Sequence, residues 1–440
     1  MSTLGIGISL FAGMLVLMAL RVPIAITMFV PGAIGYAFLA SPDALLNHLK
    51  GSAYARLSVY DLSVIPLFLL MGQFATQGGL SKALFGLCNA LIGHFRGGMA
   101  MASVLACAAF GSICGSSVAT AATVTQVALP EMRRHGYSGR LATATLAAGG
   151  TLGILIPPSV VLVVYGILAE QNIAKLFAAA FIPGFIAAGL YCLAIFIYVR
   201  LYPGHGPASA RHSVAERLTM LKEVWPVAAI FVVMFGGIYG GLFTPTEGAA
   251  VGAAATLITG IAKRELGIEG VMQSFLGAAE TTGMIFMIFL GADLLNSALA
   301  LSQMPAKLAE GVAASGLPPV AVIVGILAFY VILGAVMDEL SMILLTIPIL
   351  FPAVMGLELF GLDPTSKAIW FGILVLCVVE VGLIAPPVGL NVYVVNSFAR
   401  DVPMAETYRG VMPFLAADAV RVALLIAFPS ISLWLVGVLT

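Results

Sequence analysis

Polar side chains able to do chemistry are scarce in this 440-residue sequence, and they gather at two places. The first is Gly111-Ser-Ile-Cys-Gly-Ser-Ser117, with Thr120 and Thr123 just beyond it; the second is Gly334-Ala-Val-Met-Asp-Glu-Leu-Ser341. The hydroxyls of Ser116 and Ser117, with carbonyls freed where glycines interrupt a helix, supply the hard oxygen ligands an alkali cation takes. Asp338 and Glu339 place carboxylates in a long apolar tract, where an acid is costly unless paired, protonated or serving a cation or proton path. Roughly forty residues after each cluster comes a double proline preceded by glycine, in Gly149-Gly-Thr-Leu-Gly-Ile-Leu-Ile-Pro-Pro158 and Gly382-Leu-Ile-Ala-Pro-Pro387. Backbone released from a helix inside a bilayer must find partners in protein, water or an ion. Two such breaks, one in each half of a membrane protein, point to a binding site at the midplane.

Each of these residues also has a plainer role. Ser and Thr pack helices closely and bond back to their own backbone; the tip position opposite a helix break favours the ligand role for Ser116 and Ser117 but not for Thr123. Asp338 is the leading cation candidate, while Glu339 either pairs locally or faces water, and Glu380 near the second break ranks below both. Asn391 and Asn396 carry amides suited to a carboxylate substrate or to ordinary interhelix bonds. Glu247, in Thr244-Pro-Thr-Glu247, fits a helix cap, with Pro245 in the first turn and an acid at the positive end of the dipole. Asp293 and the Asp418/Arg421 pair, one turn apart, suit structural pairing. Enzyme chemistry has little to work with. All five histidines (48, 94, 135, 205, 212) fall in loops or interfacial stretches, and no metalloprotease, nucleotide-binding or membrane aspartyl-protease motif occurs.

The elements that must position these clusters follow from composition. Only 9% of residues are charged and 61% are hydrophobic, and apolar runs long enough to cross a bilayer recur, so the chain is an all-α polytopic membrane protein. Net charge is zero, with no basic tract for nucleic acid, and the five cysteines show no metal or disulfide spacing. Spans are expected at 4–20, 23–40, 59–77 and 175–199, with interfacial pieces at 42–57 and 80–95. The tract 98–130 is too short for two crossings and reads as a re-entrant hairpin; 138–169 is a crossing broken at 149–158. After a polar connection at 200–225 the order repeats. Spans fall at 226–242, 245–262 and 275–295, interfacial pieces at 263–273 and 297–312, a hairpin at 318–352, a broken crossing at 366–398 and a last span at 410–438. Residues 1–199 and 226–440 therefore read as two repeats, each of five crossings plus one hairpin. The double prolines align at an offset of 229 residues. Five is odd, so the second repeat enters from the opposite side and the two are inverted. With both termini outside, fourteen Lys and Arg face the cytoplasm and five (Lys50, Arg56, Lys175, Lys307, Lys367) face outward, Arg421 lying within the last span; that is a clear positive-inside bias.

Taken together, Gly115-Ser-Ser-Val-Ala-Thr-Ala-Ala-Thr123, Gly153-Ile-Leu-Ile-Pro-Pro-Ser159, Thr244-Pro-Thr-Glu247, Gly334-Ala-Val-Met-Asp338 and Pro386-Pro-Val-Gly-Leu-Asn391 resemble the large membrane subunit of tripartite ATP-independent periplasmic (TRAP) transporters. The likeness covers nearly the whole chain, in the family's motif order. It implies an elevator-type fold of the ion-transporter superfamily in the bacterial inner membrane. It also implies sodium-coupled uptake of an organic acid delivered by a periplasmic binding protein. A small four-helix membrane subunit, expected as a separate polypeptide, would brace the scaffold among the membrane lipids. The resemblance places sodium at Gly115, Ser116, Gly153, Asp338 and Gly382, partly through backbone carbonyls. The expected substrate contacts are Ser117, Thr120, Pro157, Pro387 and Asn391. Two other readings compete: a stand-alone ion-coupled carboxylate carrier of the same superfamily, and a non-transporting membrane scaffold, which gives no reason for two polar-tipped hairpins.

Overall fold

A computed structural model describes residues 3–439. Among them the chain forms twenty α-helices and one short 3-10 turn, with no strand. In the first half α1 (Thr3–Ala19), α2 (Ile24–Leu39), α3 (Pro42–Leu57), α4 (Val64–Gln77) and α5 (Leu80–Ile92) lead into a helical hairpin of α6 (Gly98–Cys114) and α7 (Ser117–Arg134). The pair α8 (Gly139–Leu155) and α9 (Val160–Leu168) follows, and then α10 (Ile173–Leu201). In the second half α11 (Val214–Tyr239), α12 (Pro245–Ala262), α13 (Ile268–Leu301) and α14 (Met304–Ala314) lead into a hairpin of α15 (Pro319–Gly334) and α16 (Glu339–Met355). The pair α17 (Pro364–Ile384) and α18 (Leu390–Phe398) comes next, then α19 (Met404–Ala427) and α20 (Ser430–Leu439).

Helix starts are chemically marked. Ser116, Ser138, Ser159, Asn172, Ser213, Thr244, Asp338 and Asp363 each accept, through a side-chain oxygen, the backbone N–H three residues on, which satisfies one of the orphan donors of a first turn. Thr244 and Glu247 form a reciprocal capping box, the structural role expected of that acid. At Asp363, in the loop before α17, hydrogen bonds from Ser366 hold the carboxyl below its ordinary range.

Three expected boundaries differ. Residues 268–273 of the interfacial piece 263–273, the span 275–295 and the start of 297–312 are one continuous 34-residue helix, α13, because no proline interrupts 268–301. The last span, 410–438, is two helices, since Pro429 cannot donate the hydrogen bond that would continue α19. Helix α11 begins at Val214 on its capping box, so its first turns carry polar residues expected in the connection. What remains of that connection is tied down: His205 O accepts from Ser138 N at 3.0 Å, and Gly206 O from Gly97 N at 2.9 Å.

Among the described residues five helices, α10, α11, α13, α17 and α19, are each long and apolar enough to cross a membrane alone, and α3 and α4 bend by 60° where they meet. The predicted outward-facing ends, Met1–Ser2 and Thr440, lie outside the described residues. Helix α17 is enclosed on nearly all sides, which is why it reads as apolar all round. Its polar side chains are spent on neighbours: Trp370 Nε1 donates to Leu425 O at 2.8 Å, and Lys367 Nζ to Met355 O and Leu357 O at 2.9 and 2.6 Å. Beside this core, α2 packs on α13 and α4 on α12. A methyl on Gly32 would stand 2.6 Å from the Leu295 nitrogen, and one on Gly252 2.6 Å from Met71 Sδ, so these crossings exist because glycine lets the helices approach.

Candidate functional site

The site is built from four interruptions that turn back into helices. Hairpin α6–α7 reverses at Gly115, whose φ of +64° suits glycine, and Ser116 caps α7. Hairpin α15–α16 reverses at residues 335–338, and Asp338 caps α16 by accepting from Ser341 N at 3.1 Å. Between α8 and α9 the chain passes through Pro157-Pro158, and between α17 and α18 through Pro386-Pro387; both bonds are cis. Ser159 then caps α9, while Gly389, at φ +59°, leads into α18.

Glycines press hairpins and breaks together. A methyl on Gly111 would lie 2.5 Å from Gly153 Cα, and one on Gly382 2.6 Å from the Gly334 Cα. Gly153 sits equally close to the first tip, with Thr120 Oγ1 and the Ser116 carbonyl 2.6 and 2.8 Å from where its Cβ would be. The two tips also touch: Ser117 Oγ donates to Glu339 Oε1 at 3.3 Å, with both residues buried. Among the described residues several oxygens here have no hydrogen-bond partner, including Thr120 Oγ1, Asp338 Oδ1, Glu339 Oε2, Ser341 Oγ and Asn391 Oδ1. Buried acceptors left in this way are the kind of group that a cation satisfies.

A cavity of about 680 Å³ opens where these parts meet. Its wall takes in Gly115 and Ser116 from the first tip, Asp338 and Glu339 from the second, Val160 from the start of α9 and Leu390 from the start of α18. All four restarted helices thus present their first turns to one space. The opposite wall is apolar apart from Thr281, with Leu69 on α4, Ile24 and Ala25 on α2, and Met284, Ile285 and Ile288 on α13. A second cavity, of about 390 Å³, lies further along α13, where Arg56 pairs with Asp293 at 2.7 Å and Asn296 Nδ2 donates to Leu344 O.

The sequence-predicted residues divide by position. Gly115, Ser116 and Asp338 border the first cavity. Gly153 and Gly382 are buried behind it as packing contacts. Ser117 and Thr120 are wholly buried, and Pro157 is enclosed in the first break, while Pro387 is exposed and its carbonyl accepts from Tyr408 Oη at 2.8 Å. Asn391 Nδ2 donates to Ala147 O at 3.3 Å, across to α8. Sequence reasoning missed the apolar wall of α2, α4 and α13, since ordinary hydrophobic residues on a span carry no signal of what they face. It also separated Glu380 from Asp418/Arg421, which the fold joins: Arg421 Nη2 lies 2.7 Å from Glu380 Oε2 and 2.9 Å from Asp418 Oδ1.

Comparison with known proteins agrees with this architecture. Residues 11–431 match the family described as "Tripartite ATP-independent periplasmic transporter, DctM component". The chain is 36% identical over 396 residues to the C4-dicarboxylate TRAP transporter large permease protein DctM of Pseudomonas aeruginosa, covering 90% of each. It is 30% identical over 449 residues to the protein of the same name in Vibrio cholerae, covering 97% of this chain and 96% of that one. Among solved structures, the YdaH transporter of Alcanivorax borkumensis shares the fold with a TM-score of 0.64 at 15% identity, over 96% of this chain and 99% of that one.

Proposed function

This chain belongs to the DctM component family of tripartite ATP-independent periplasmic transporters, and from that premise we propose that it is the permease subunit of a sodium-coupled organic-acid carrier working by an elevator movement. The observation that carries the reading is the cavity shared by both tips and both breaks. Helix N-termini are the positive ends of helix dipoles and favour an anion. The same space also contains Asp338 and Glu339, carboxyl groups that, when ionised, oppose a substrate carboxylate. A substrate acid therefore enters most readily with cations that offset those two side chains, which is the physical basis of coupling. The oxygens without partners at Thr120, Asp338 and Glu339 suit sodium, as do carbonyls at Gly115, Gly153 and Gly382.

The two halves follow one element order, and their tip glycines meet break glycines in matching fashion, Gly111 on Gly153 and Gly334 on Gly382. These matches support two inverted repeats, 1–199 and 226–440, with ten crossings. The two cavities line α13 at different heights, around Ile288 and around Asn296. Carrying the tips from one to the other, roughly 12 Å at the rise of an α-helix, would serve as the elevator stroke. The relatives named for C4-dicarboxylates make a small dicarboxylate the first substrate to test.

The test is reconstitution. Uptake into proteoliposomes should need this chain, the small membrane subunit and the liganded periplasmic binding protein, together with an inward sodium gradient. Full-rate uptake of free substrate by this chain alone would favour the stand-alone carrier, and uptake indifferent to sodium would remove the coupling.

Topology is tested separately. With the five native cysteines replaced, a cysteine at the exposed Ala210 should react only from the cytoplasm, and one at the exposed Ser315 only from the periplasm. Labelling of both from one face would sink the inverted-repeat reading.

A further inference from the structure

A chain of polar side chains runs through the apolar centre of the bundle, away from the cavity. Thr151 on α8 donates its hydroxyl to Ala148 O at 2.8 Å, and its oxygen stands 3.4 Å from the Tyr191 hydroxyl on α10. Tyr191 Oη donates to Asp418 Oδ2 at 2.8 Å, and Asp418 and Glu380 share the Arg421 guanidinium through Nη2. All five residues are at most 1% exposed. Arg421 Nη2 also donates to Cys377 O on α17 at 3.4 Å; its contacts with Glu380 Oε2 and Asp418 Oδ1 are ion pairs, and among the described residues Nε, Nη1, both Glu380 oxygens and Asp418 Oδ1 have no hydrogen-bond partner.

Position gives the chain its meaning. Thr151 lies two residues before Gly153, and Glu380 two residues before Gly382. They are 229 residues apart, the offset that also relates the double prolines. Each break is thus gripped at the same point, and the grip passes through the next long helix of each half, α10 and then α19. A partly satisfied ionic network is a poor source of stability, since well-packed apolar side chains do as well or better. What it supplies is geometry: each member is held only where its neighbours put it.

We propose that Thr151, Tyr191, Asp418, Arg421 and Glu380 form a positioning relay that couples the two helix breaks, so that the shape of one depends on that of the other. These residues touch neither substrate nor ion; they act through the backbone at Gly153 and Gly382. The relay rests on the breaks being binding elements, as proposed above, but the coupling itself is measurable without transport.

The decisive variant is Tyr191→Phe, which removes one hydroxyl and leaves the ring edge-on against Phe414. Asp418 then loses its second partner, and Arg421 is no longer shared on the same terms with Glu380. Amide hydrogen exchange is followed by mass spectrometry on the full-length protein in nanodiscs. Exchange should rise roughly tenfold or more at the second break, residues 383–390. That factor corresponds to about 1.4 kcal/mol, the low end for a hydrogen bond to a charged group. Exchange in α2 and α13 should not change. A rise confined to α8, α10 and α19, with the second break as in wild type, overturns the relay. Arg421→Lys, which keeps the charge but moves it away from the Nη2 position that Glu380 and Asp418 share, should loosen both breaks; protection of both at wild-type level overturns it equally. If Arg421→Lys does not fold, Tyr191→Phe decides alone. In reconstituted transport, Tyr191→Phe should flatten the Hill slope for sodium while keeping the maximal rate. Should wild-type uptake ignore sodium, the functional reading fails and the exchange result still decides the relay.

Discussion

Asp338→Asn is expected to move the sodium dependence of uptake to roughly ten- to a hundredfold higher concentration while leaving the protein folded. Asp338 does two things with its two oxygens. Oδ2 caps α16 through Ser341 N, whereas Oδ1 has no partner and borders the cavity. Asparagine caps a helix as well as aspartate does, so the first role survives and only the charge is lost. A charged contact in a partly desolvated site is worth about 1.5–3 kcal/mol, and about 1.4 kcal/mol is tenfold in affinity; hence the range. Asp338→Ala removes the cap as well and should add a loss of thermal stability. The control is Glu247→Gln, whose carboxylate is engaged in the capping box with Thr244 and should leave the sodium curve where it was. The measurement is uptake across a sodium series with the partner proteins supplied. An unmoved curve for Asp338→Asn, with a moved one for Glu247→Gln, would mean the wrong carboxylate has been assigned to the cation.

Replacing Gly382 with alanine should remove most transport, although it adds one methyl group. That methyl would sit 2.6 Å from the Cα and carbonyl carbon of Gly334, both backbone atoms that cannot rotate away. Either α15 or α17 must shift, and overpacking of this kind costs about 1–3 kcal/mol. The larger consequence is geometric, because the displaced backbone carries the second tip and the second break, whose first turns border the cavity. The matched control is Gly236→Ala on α11, where nothing lies within 4 Å of the added carbon. Alanine is the better helix former there by about 0.5–1 kcal/mol, so stability should hold or rise and uptake should not change. Wild-type uptake by Gly382→Ala would show that close packing of hairpin on break does not shape the site.

The general plan was legible because its causes are local. Apolar runs with few charges mark membrane helices whatever surrounds them. A double proline ends a helix by its own chemistry, and a Ser or Asp before a helical run starts one, as at Ser116 and Asp338. The polar clusters and the double prolines therefore marked where helices stop and restart, and the family motifs came with them. Boundaries that depend on a missing signal were not legible: α13 runs straight through 268–301 because nothing stops it, and the sequence has no mark for a helix that simply continues. Which partner meets which residue was undetermined for a deeper reason. Ser117 and Glu339 are separated by 222 residues yet share a hydrogen bond, and Glu380 finds Arg421 only because α17 is enclosed by its neighbours. A side chain's type states what it can bond to. Only the packing of helices, through the close approaches that glycine permits, decides what lies within reach, and so separates Asp338, at the edge of a cavity, from Asn391, spent on the carbonyl of Ala147.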